Sequence, residues 1–455
     1  MVFQLLCSAI FINNWTAEAS ATPWQLSNNL NFPEWLTINI EHRSRYETLD
    51  QQYRAVINGV PTNGGDQALV FRTLLHTRFE FEQIHLGVEL MDSRIALADS
   101  GTATASQRLT TTIANPIELL QAYVEVPVKN LLLKDSQALF RAGRITMDVG
   151  SRRLVARNRY RNTINAFTGI DWQWQYQQHQ FRAFYTLPIQ RRVNGDIIDN
   201  KPRFDAEHPK IRFWGLHYTQ PIIDKQNEIE FYLFGVDEDD AKNRATNNRE
   251  HHTIGVRIWR KPHINFFDYQ LENVYQIGQS RSSKTATNNL DHLAHFHHLE
   301  IGYSFAAHWS PRLLIQYDYA SGDDNPDDNN NNRFDTLYGA RRFDFGPTSI
   351  YGAIARSNIN SPGIRLILKP HQQLLTMFSL RGFWRASTTD AWATSGINGS
   401  HPYIGTQIEG RIRWDLLADN LRLETGFVHL FSGDLMTEAD KDDSTYAYLQ
   451  AIIKF

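Results

Sequence analysis

The sequence predicts an all-β protein, a single antiparallel transmembrane β-barrel of about 18 strands with short periplasmic turns and long extracellular loops. Three observations predict it. Apolar and polar residues alternate with a period of two in many segments, the pattern of strands whose two faces meet different environments. No uninterrupted apolar run reaches the roughly 18 residues that a membrane-spanning helix requires. Along the chain, short connections between the alternating segments take turns with long ones.

Composition narrows the class further. The 455-residue chain has 46 Lys+Arg against 49 Asp+Glu, so its formal net charge is -3. Nucleic-acid-binding proteins usually carry a strong basic excess, and we therefore expect no nucleic acid among the partners. Aromatic residues make up 12% of the chain, and there is one cysteine. This combination, without apolar helices, is typical of bacterial barrels and predicts the Gram-negative outer membrane, whose lipid is then a partner.

Residues 1–21 predict a cleaved export signal. A short apolar core precedes Ala17-Glu18-Ala19 and Ala19-Ser20-Ala21, either of which fits the small-x-small pattern of a signal-peptidase site. No Lys or Arg precedes the apolar core, which suggests a start upstream of Met1. The alternative is an ordinary N-terminal strand or tail. We expect the barrel to occupy residues 22–455.

Eighteen alternating segments define the predicted wall. Ile170–Gln177 carries Gln173 and Gln175 on its polar face, and the apolar face of Ile404–Asp415 begins with Ile404. Most segments are about ten residues long, enough for a tilted strand to cross a bilayer, and single-chain bacterial barrels have even strand numbers. The segments lie near 35–48, 70–82, 84–93, 117–128, 137–146, 167–178, 180–189, 211–220, 227–236, 251–260, 265–276, 293–305, 311–320, 360–369, 372–386, 405–415, 419–431 and 445–455.

The connections predict two different rims. Short turns such as Gln178-His179 and Pro262-His263 are expected at the periplasmic rim. Long polar connections are expected at the extracellular rim, and they span residues 50–69, 94–116, 190–210, 237–250, 277–292, 321–347 and 387–403.

The C-terminal segment Thr445–Phe455 ends in an aromatic residue and places Leu449, Ile453 and Phe455 on one face. It resembles the last strand by which outer-membrane barrels are recognised for assembly. The resemblance implies the barrel-assembly machinery as a partner. The alternative is a strand that merely ends in phenylalanine.

Arginines crowd the segment between two predicted strands near residues 137–146 and 167–178. Asp148 is the only acidic residue between the first and the last of them. Guanidiniums held close together repel, so they are tolerated where water or an anionic ligand screens them. If this connection folds into the lumen, it forms a constriction that attracts anions. If it does not, it is a solvated basic surface loop. The six arginines are Arg144, Arg152, Arg153, Arg157, Arg159 and Arg161.

Three stretches resemble the alginate export family of outer-membrane proteins, in the expected order along the chain. The first runs from Gly143-Arg144 through Gly150-Ser151-Arg152-Arg153-Leu154-Val155 and Arg161-Asn162-Thr163 to Phe167-Thr168-Gly169. The second is Ala320-Ser321-Gly322-Asp323-Asp324-Asn325 with Arg333–Tyr338, and the third is Ser357–Asn360 with Leu366–Pro370. The resemblance implies an eighteen-stranded barrel whose electropositive constriction passes polyuronate or other anionic solutes.

The predicted lumen face has mixed charges. Arginines are accompanied there by glutamates such as Glu41, Glu80, Glu125, Glu409 and Glu424, and neighbouring opposite charges pair and partly cancel the field. Two solute classes therefore stay open, alginate-type polyuronates and small anions or other small solutes. The candidate lumen arginines on the strands are Arg72, Arg78, Arg411 and Arg413.

Two further clusters suggest metal sites. Asp323, Asn325 and Asp327 offer oxygen ligands at a spacing that calcium uses, although the glycine and distal glutamate of an EF-hand are missing. A solvated extracellular loop is the alternative, and no other cofactor is expected. The histidines between residues 292 and 298 lack a cysteine or a carboxylate pair that would complete a zinc site.

No Ser-His-Asp order, phosphate-binding glycine loop or HExxH sequence indicates an enzyme. The sequence therefore predicts a passive outer-membrane channel. Two alternatives remain, an outer-membrane enzyme or adhesin built on the barrel, and a soluble secreted carbohydrate-binding β-protein.

Overall fold

The computed structural model describes residues 24–54, 56–57, 60–61, 64–98, 112–192, 199–222, 224–417 and 419–455, and the predicted export signal lies outside them. Eighteen strands form the wall of one sheet. They are β1 (Leu36–Asp50), β2 (Asp66–Phe81), β3 (Ile84–Ala96), β4 (Asn115–Lys129), β5 (Gln137–Ile145), β6 (Phe167–Tyr176), β7 (His179–Gln190), β8 (Ile211–Ile222), β9 (Asp224–Glu238), β10 (Glu250–Arg260), β11 (Phe267–Ser280), β12 (Leu290–Ser304), β13 (Arg312–Ala320), β14 (Ile359–His371), β15 (Leu374–Trp384), β16 (Tyr403–Leu417), β17 (Leu421–Ser432) and β18 (Ser444–Lys454).

The remaining elements are short and lie in the connections. Four two-residue strands occur at Val56–Ile57, Val60–Pro61, Ala206–Glu207 and Asn330–Asn331. The helices that lie wholly within the described residues are α1 (Leu26–Asn29), α2 (Arg342–Phe345) and α3 (Asp434–Glu438). Among the described residues, none of these helices is long and apolar enough to cross a membrane.

The sheet closes on itself. Each wall strand pairs antiparallel with the next along the chain, and β18 pairs with β1 over the register from Glu41 opposite Lys454 to Asp50 opposite Thr445. Closure removes both edges, so the backbone groups of the wall find partners within the sheet, as lipid requires. The prediction of an eighteen-stranded antiparallel barrel is confirmed, and every alternating segment coincides with one wall strand.

The two faces of the wall have the opposite polarity to those of a soluble β-protein, with apolar side chains outside and charged side chains inside. Large apolar side chains such as Ile170, Ile315 and Leu449 are exposed on the outside, where lipid covers them. Charged residues on the opposite face, such as Glu47 and Asp318, are buried in the lumen. The alternation therefore reflects a lipid face and a polar interior.

Ile404 departs from the predicted pattern. The alternation placed it on the lipid face, but its side chain is 0% exposed and packs in the interior core with Leu435 and Met436. Trp384 pairs with Tyr403 whereas the preceding Phe383 pairs with Gly405, so Ile404 is an extra residue at a β-bulge. The prediction for Ile404 was wrong because one inserted residue reverses the faces of a strand.

The two rims differ as predicted, but several long connections also reach into the lumen, among them 387–403, whose Trp392 and Ile397 belong to the buried core. Residues 146–166 and 321–358 fold into the barrel, and their apolar side chains build a core inside the lumen. Assigning residues 334–347 to the extracellular surface was therefore wrong, whereas residues 324–327 of the same connection are exposed. The core contains Met147, Val149, Leu154, Val155, Phe334, Phe345, Ile350, Tyr351, Ala353 and Ile354.

A closed barrel predicts a simple gel behaviour. Since a sheet without edges unfolds only when many hydrogen bonds break together, we expect the unheated protein in detergent to migrate differently from the boiled protein. Electrophoresis of both samples side by side measures this. Identical migration, together with recovery from the soluble fraction, would contradict a membrane barrel.

Candidate solute constriction

Two inward connections meet across the lumen. We call residues 146–166 the basic loop and residues 321–358 the companion loop. The backbone nitrogen of Tyr338 donates to the carbonyl oxygen of Leu154 at 2.9 Å, and that of Ala156 donates to the carbonyl of Tyr338 at 3.2 Å. A Cβ atom at Gly339 would lie 1.7 Å from the carbonyl oxygen of Arg153, so only glycine permits this approach. The two loops therefore form one layer inside the barrel.

Arginines of the wall hold the tip of the basic loop. Arg43 donates to the carbonyls of Arg159 and Tyr160, each at 3.0 Å, and Arg72 donates to the carbonyls of Arg159 at 2.9 Å and Arg161 at 3.0 Å. Arg72 also pairs with Glu41 at 2.8 Å and is 3% exposed. Its guanidinium is thus committed to the loop backbone, which makes Arg72 an anchor rather than a lining residue.

Tyr160 is a second anchor of the basic loop. The guanidiniums of Arg45 and Arg342 lie over its ring at 4.4 and 5.0 Å from the centroid. Its hydroxyl is 3.1 Å from that of Tyr446 on the wall. Contacts of a cation with an aromatic face are strengthened where water is excluded, so this cluster restrains the tip against β1 and β18.

Arg153 is the centre of a buried ionic network. It is 2% exposed and pairs with Glu272 of β11 at 2.8 Å and with Asp344 of the companion loop at 3.0 Å. Its third partner is the Nε2 atom of His298, at 2.8 Å. Burial alone would lower the pKa of Arg153, but Asp344 and Glu272 raise it, so the side chain stays charged. Arg153 therefore fastens both loops to the wall.

The same network extends through Asp344. Arg356 donates to its carboxylate at 2.5 Å. Beside it, Arg381 pairs with Asp318 at 2.6 Å, and Asp318 accepts from the Nδ1 atom of His298 at 2.8 Å. His298, Asp318 and Asp344 are the only group in the described part of the chain whose ligand atoms cluster closely enough for a metal ion. Guanidiniums already occupy these carboxylates, which gives the group a structural role.

Three more of the six arginines have carboxylate partners. Arg144 pairs with Glu118 at 2.6 Å, and Arg157 pairs with Glu89 at 2.6 Å. Arg159 is 71% exposed and lies 3.5 Å from Asp148. Glu89 and Glu118 come from β3 and β4, far from the basic loop in sequence. The loop is consequently much less positive than its own residues suggest.

Arg152 and Arg161 are different. Neither has a carboxylate within 4.0 Å among the described residues, and Arg152 is exposed beside the ring of Phe343. Burial and the neighbouring Arg191 and Arg341 together lower the pKa of Arg161 to about 9, so it is still protonated at neutral pH. Burial also lowers the pKa of Arg341 to about 10. We use the name cationic cluster for Arg152, Arg161 and Arg341, which share the absence of a carboxylate partner among the described residues; of the three, Arg161 and Arg341 are electrostatic neighbours.

The predicted lumen arginines on the strands separate into paired and unpaired side chains. Arg78 pairs with Glu125 at 2.9 Å and also with Glu80, and Arg413 pairs with Glu424 at 3.1 Å. Arg411 has no ion pair with the described residues. The mixed charges predicted for the lumen wall are thus mostly arranged as local pairs.

The acidic stretch of the companion loop forms its own hydrogen bonds. The backbone of Asp323 donates to the carboxylate of Asp390 at 3.0 Å, and the backbone of Asp327 donates to the side chain of Asn325 at 3.3 Å. The first bond joins the stretch to the connection 387–403, and the second is a turn contact, which an acidic loop makes without a metal. Calcium binding by Asp323, Asn325 and Asp327 stays a prediction.

Sequence reasoning missed the companion loop as part of the site. Its signal was present, because residues 334–354 contain many large apolar side chains that a solvated extracellular loop does not need. Glu272 and Glu89, the carboxylate partners of Arg153 and Arg157 on the wall, gave no such signal. They lie on distant strands and become neighbours only when the barrel closes.

The chain matches the alginate export family over residues 34–450. No curated protein matches it. Its structure is similar to OccAB1 of Acinetobacter baumannii, with a TM-score of 0.60 at 12% identity, covering 93% of this chain and 97% of that one. It is also similar to the outer membrane protein OpdK of Pseudomonas aeruginosa, with a TM-score of 0.57 at 8% identity, covering 92% and 99%. At these identities the two structures support the barrel fold alone.

Proposed function

The chain belongs to the alginate export family, and from this premise we propose that its outer-membrane channel passes anionic solutes, with alginate-type polyuronate chains as the preferred substrate. The observation that carries the proposal is the cationic cluster on the layer formed by the basic and companion loops. Arg152, Arg161 and Arg341 present positive charge in the lumen that no neighbouring described carboxylate neutralises.

The mechanism is attraction and release without chemistry. Carboxylates of the solute exchange part of their hydration shell for the guanidiniums and leave again, because conduction requires binding that is weak enough for release. Charges beyond about 8–10 Å are screened at physiological salt, so local unpaired arginines outweigh acidic residues in distant loops. The ion-paired Arg144, Arg153 and Arg157 add little to this local field.

A second candidate is a channel for small anions without polysaccharide specificity. The observation that favours it is the extent of ion pairing in the lumen. Arg78 and Arg413 are both neutralised on the wall, so no continuous row of free cations extends along β2 and β16. A long polyanion gains most from several free cations in succession, whereas a small anion needs only one cluster.

Ion selectivity tests the proposal. We expect anion preference in planar bilayers, and we expect Arg152→Ala with Arg161→Ala to lower that preference about five-fold or more. The reason is that one unit charge about 4 Å from a passing ion contributes about 1 kcal/mol in water. Arg212→Ala is the matched control, because Arg212 lies in β8 and its guanidinium donates to the carbonyls of Pro209 and Ile211.

An oligouronate added to one side separates the two candidates. Block of the chloride current that weakens in the double variant supports polyuronate as substrate. Anion preference without oligouronate block supports the small-anion channel. Cation preference of the unmodified protein would contradict both.

A further inference from the structure

A second lumen site lies on the periplasmic side of the basic loop. It is a cavity of about 520 Å³, within the range of roughly 300–1,000 Å³ typical of ligand pockets. The ends of β4, β5, β6 and β7 nearest the short turns form its wall, and Asp148, Val149 and Gly150 of the basic loop cover it. No member of the cationic cluster lines it. The chemistry of this cavity therefore differs from that of the constriction.

A row of glutamines crosses the wall of the cavity. Gln137 of β5 pairs with Gln175 of β6, and Gln175 pairs with Gln180 of β7, so the three amides are adjacent across three strands. Side chains opposite each other on neighbouring strands lie about 5 Å apart at Cβ. Gln175 shares its face with Asp171, which binds Arg182 inside the lumen. The row thus faces the water of the channel.

The amides in this row have hydrogen-bonding capacity to spare. Gln137 and Gln180 are exposed, and their side chains make no hydrogen bond to the described part of the protein. Gln175 makes one long contact, 3.4 Å from its Nε2 atom to the carbonyl oxygen of Gln177. Each amide offers two N–H donors and a carbonyl acceptor, the combination that recognises hydroxyl groups, which both donate and accept.

Charge contributes little to the lining of the cavity. Arg182 is paired with Asp171 at 2.7 Å and donates to the carbonyl of Asp148 at 2.9 Å. Lys129 is the one exposed cation of the lining. Pro127 and Leu139 add an apolar patch beside the amides. Amide groups next to an apolar surface match a sugar ring, which has hydroxyls around its edge and C–H groups on its faces.

We propose that Gln137, Gln175 and Gln180 form an entry subsite that binds hydroxyl-rich oligosaccharides arriving from the periplasmic side. The inference rests on the proposed function, since it assumes that solutes pass through the lumen. It adds that recognition begins at hydroxyl groups, before any carboxylate meets the cationic cluster. Neutral saccharides bind this subsite as well as charged ones.

The test uses a neutral probe and channels inserted in one orientation. A neutral glucose hexasaccharide is added to one side of the bilayer at a time, and interruptions of the ion current are counted. We expect half-maximal block from the periplasmic side at a concentration about ten-fold lower than from the extracellular side. A single neutral hydrogen bond changes an affinity by about two- to ten-fold, so a few amide contacts suffice. Equal block from both sides would overturn the subsite.

Variants assign the block to the glutamines. The triple change Gln137→Ala, Gln175→Ala and Gln180→Ala should remove the periplasmic advantage, whereas Gln372→Ala, in a short turn on the opposite side of the barrel, should retain it. The heat-dependent gel shift verifies that the triple variant is folded. Unchanged block in this variant would overturn the proposal. A channel that is blocked by an oligouronate but not by the neutral hexasaccharide would also overturn it. Ion selectivity is read from the same channels without sugar. If the unmodified channel shows no anion preference, the proposed anionic substrate is contradicted. The block by the neutral sugar still tests the glutamine subsite separately.

Discussion

Replacing Asp344 with asparagine is expected to release the basic and companion loops from the barrel wall. Asp344 is 1% exposed and neutralises both Arg153 and Arg356. The asparagine side chain has nearly the same shape but no charge, so two buried guanidiniums lose their shared partner. Removing one partner of a buried ion pair typically costs about 3–5 kcal/mol. The closed arrangement of the loops would then be about 10²–10⁴-fold less favoured.

Two measurements detect the release. Single-channel conductance should rise and become noisy, because the layer no longer narrows the lumen continuously. Protease added from outside should cut the companion loop within residues 342–357, which are mostly buried in the native protein. Asp324→Asn is the matched control, since it makes the same chemical change at an exposed position of the same loop. If the Asp344 variant keeps the native conductance and resists protease, the ionic network does not hold the loops in the lumen.

The same network predicts a response to acid. Burial alone would raise the pKa of Asp344, but Arg153 and Arg356 lower it below its ordinary value of 3.8, against the opposing effect of Asp318. A depressed carboxylate pKa stabilises the folded arrangement above the unfolded value, and this stabilisation is lost as the pH falls through the folded value. The loops of the native protein should therefore stay in place until the pH falls below 3.8, a pH dependence that the Asp344→Asn variant lacks.

Deleting Phe455 is expected to reduce the folded barrel about ten-fold or more without preventing synthesis or export. Its backbone nitrogen donates to the carbonyl of Ile40 at 2.9 Å and its carbonyl accepts from Ile40 at 3.0 Å, which extends the seam that closes the sheet. Its ring meets Trp24 edge-on at 5.2 Å between centroids. Two hydrogen bonds and one aromatic pair together contribute about 2–4 kcal/mol.

We further propose that the assembly machinery reads this terminal aromatic from the lipid-facing register. The folded fraction is measured by the heat-dependent gel shift of membrane samples. Phe455→Tyr should assemble normally because it keeps the ring, and Phe431→Ala controls for losing an exposed aromatic from the wall at the other rim. Normal assembly of the deletion variant would show that the last residue is dispensable.

The barrel itself was readable from the sequence because alternation is a local property. A side chain faces lipid or lumen according to its position along one strand. The alternation of apolar and polar residues within each strand therefore shows which face meets lipid. Ile404 is the exception, and it shows where prediction from alternation fails. Its face depends on a bulge opposite Phe383 and Trp384, which is decided by the pairing of two strands and leaves no mark in the alternation.

By itself the sequence determined the number of strands, the face turned to lipid, the rims and the presence of a basic connection. Only the tertiary structure decided which arginines are free. Arg153 and Arg157 lie in the same short segment as Arg152 and Arg161, yet the first two meet carboxylates of distant elements and the others do not. The reason is physical, because electrostatic energy depends on distance in space, and closing the barrel brings together charges that are far apart along the chain.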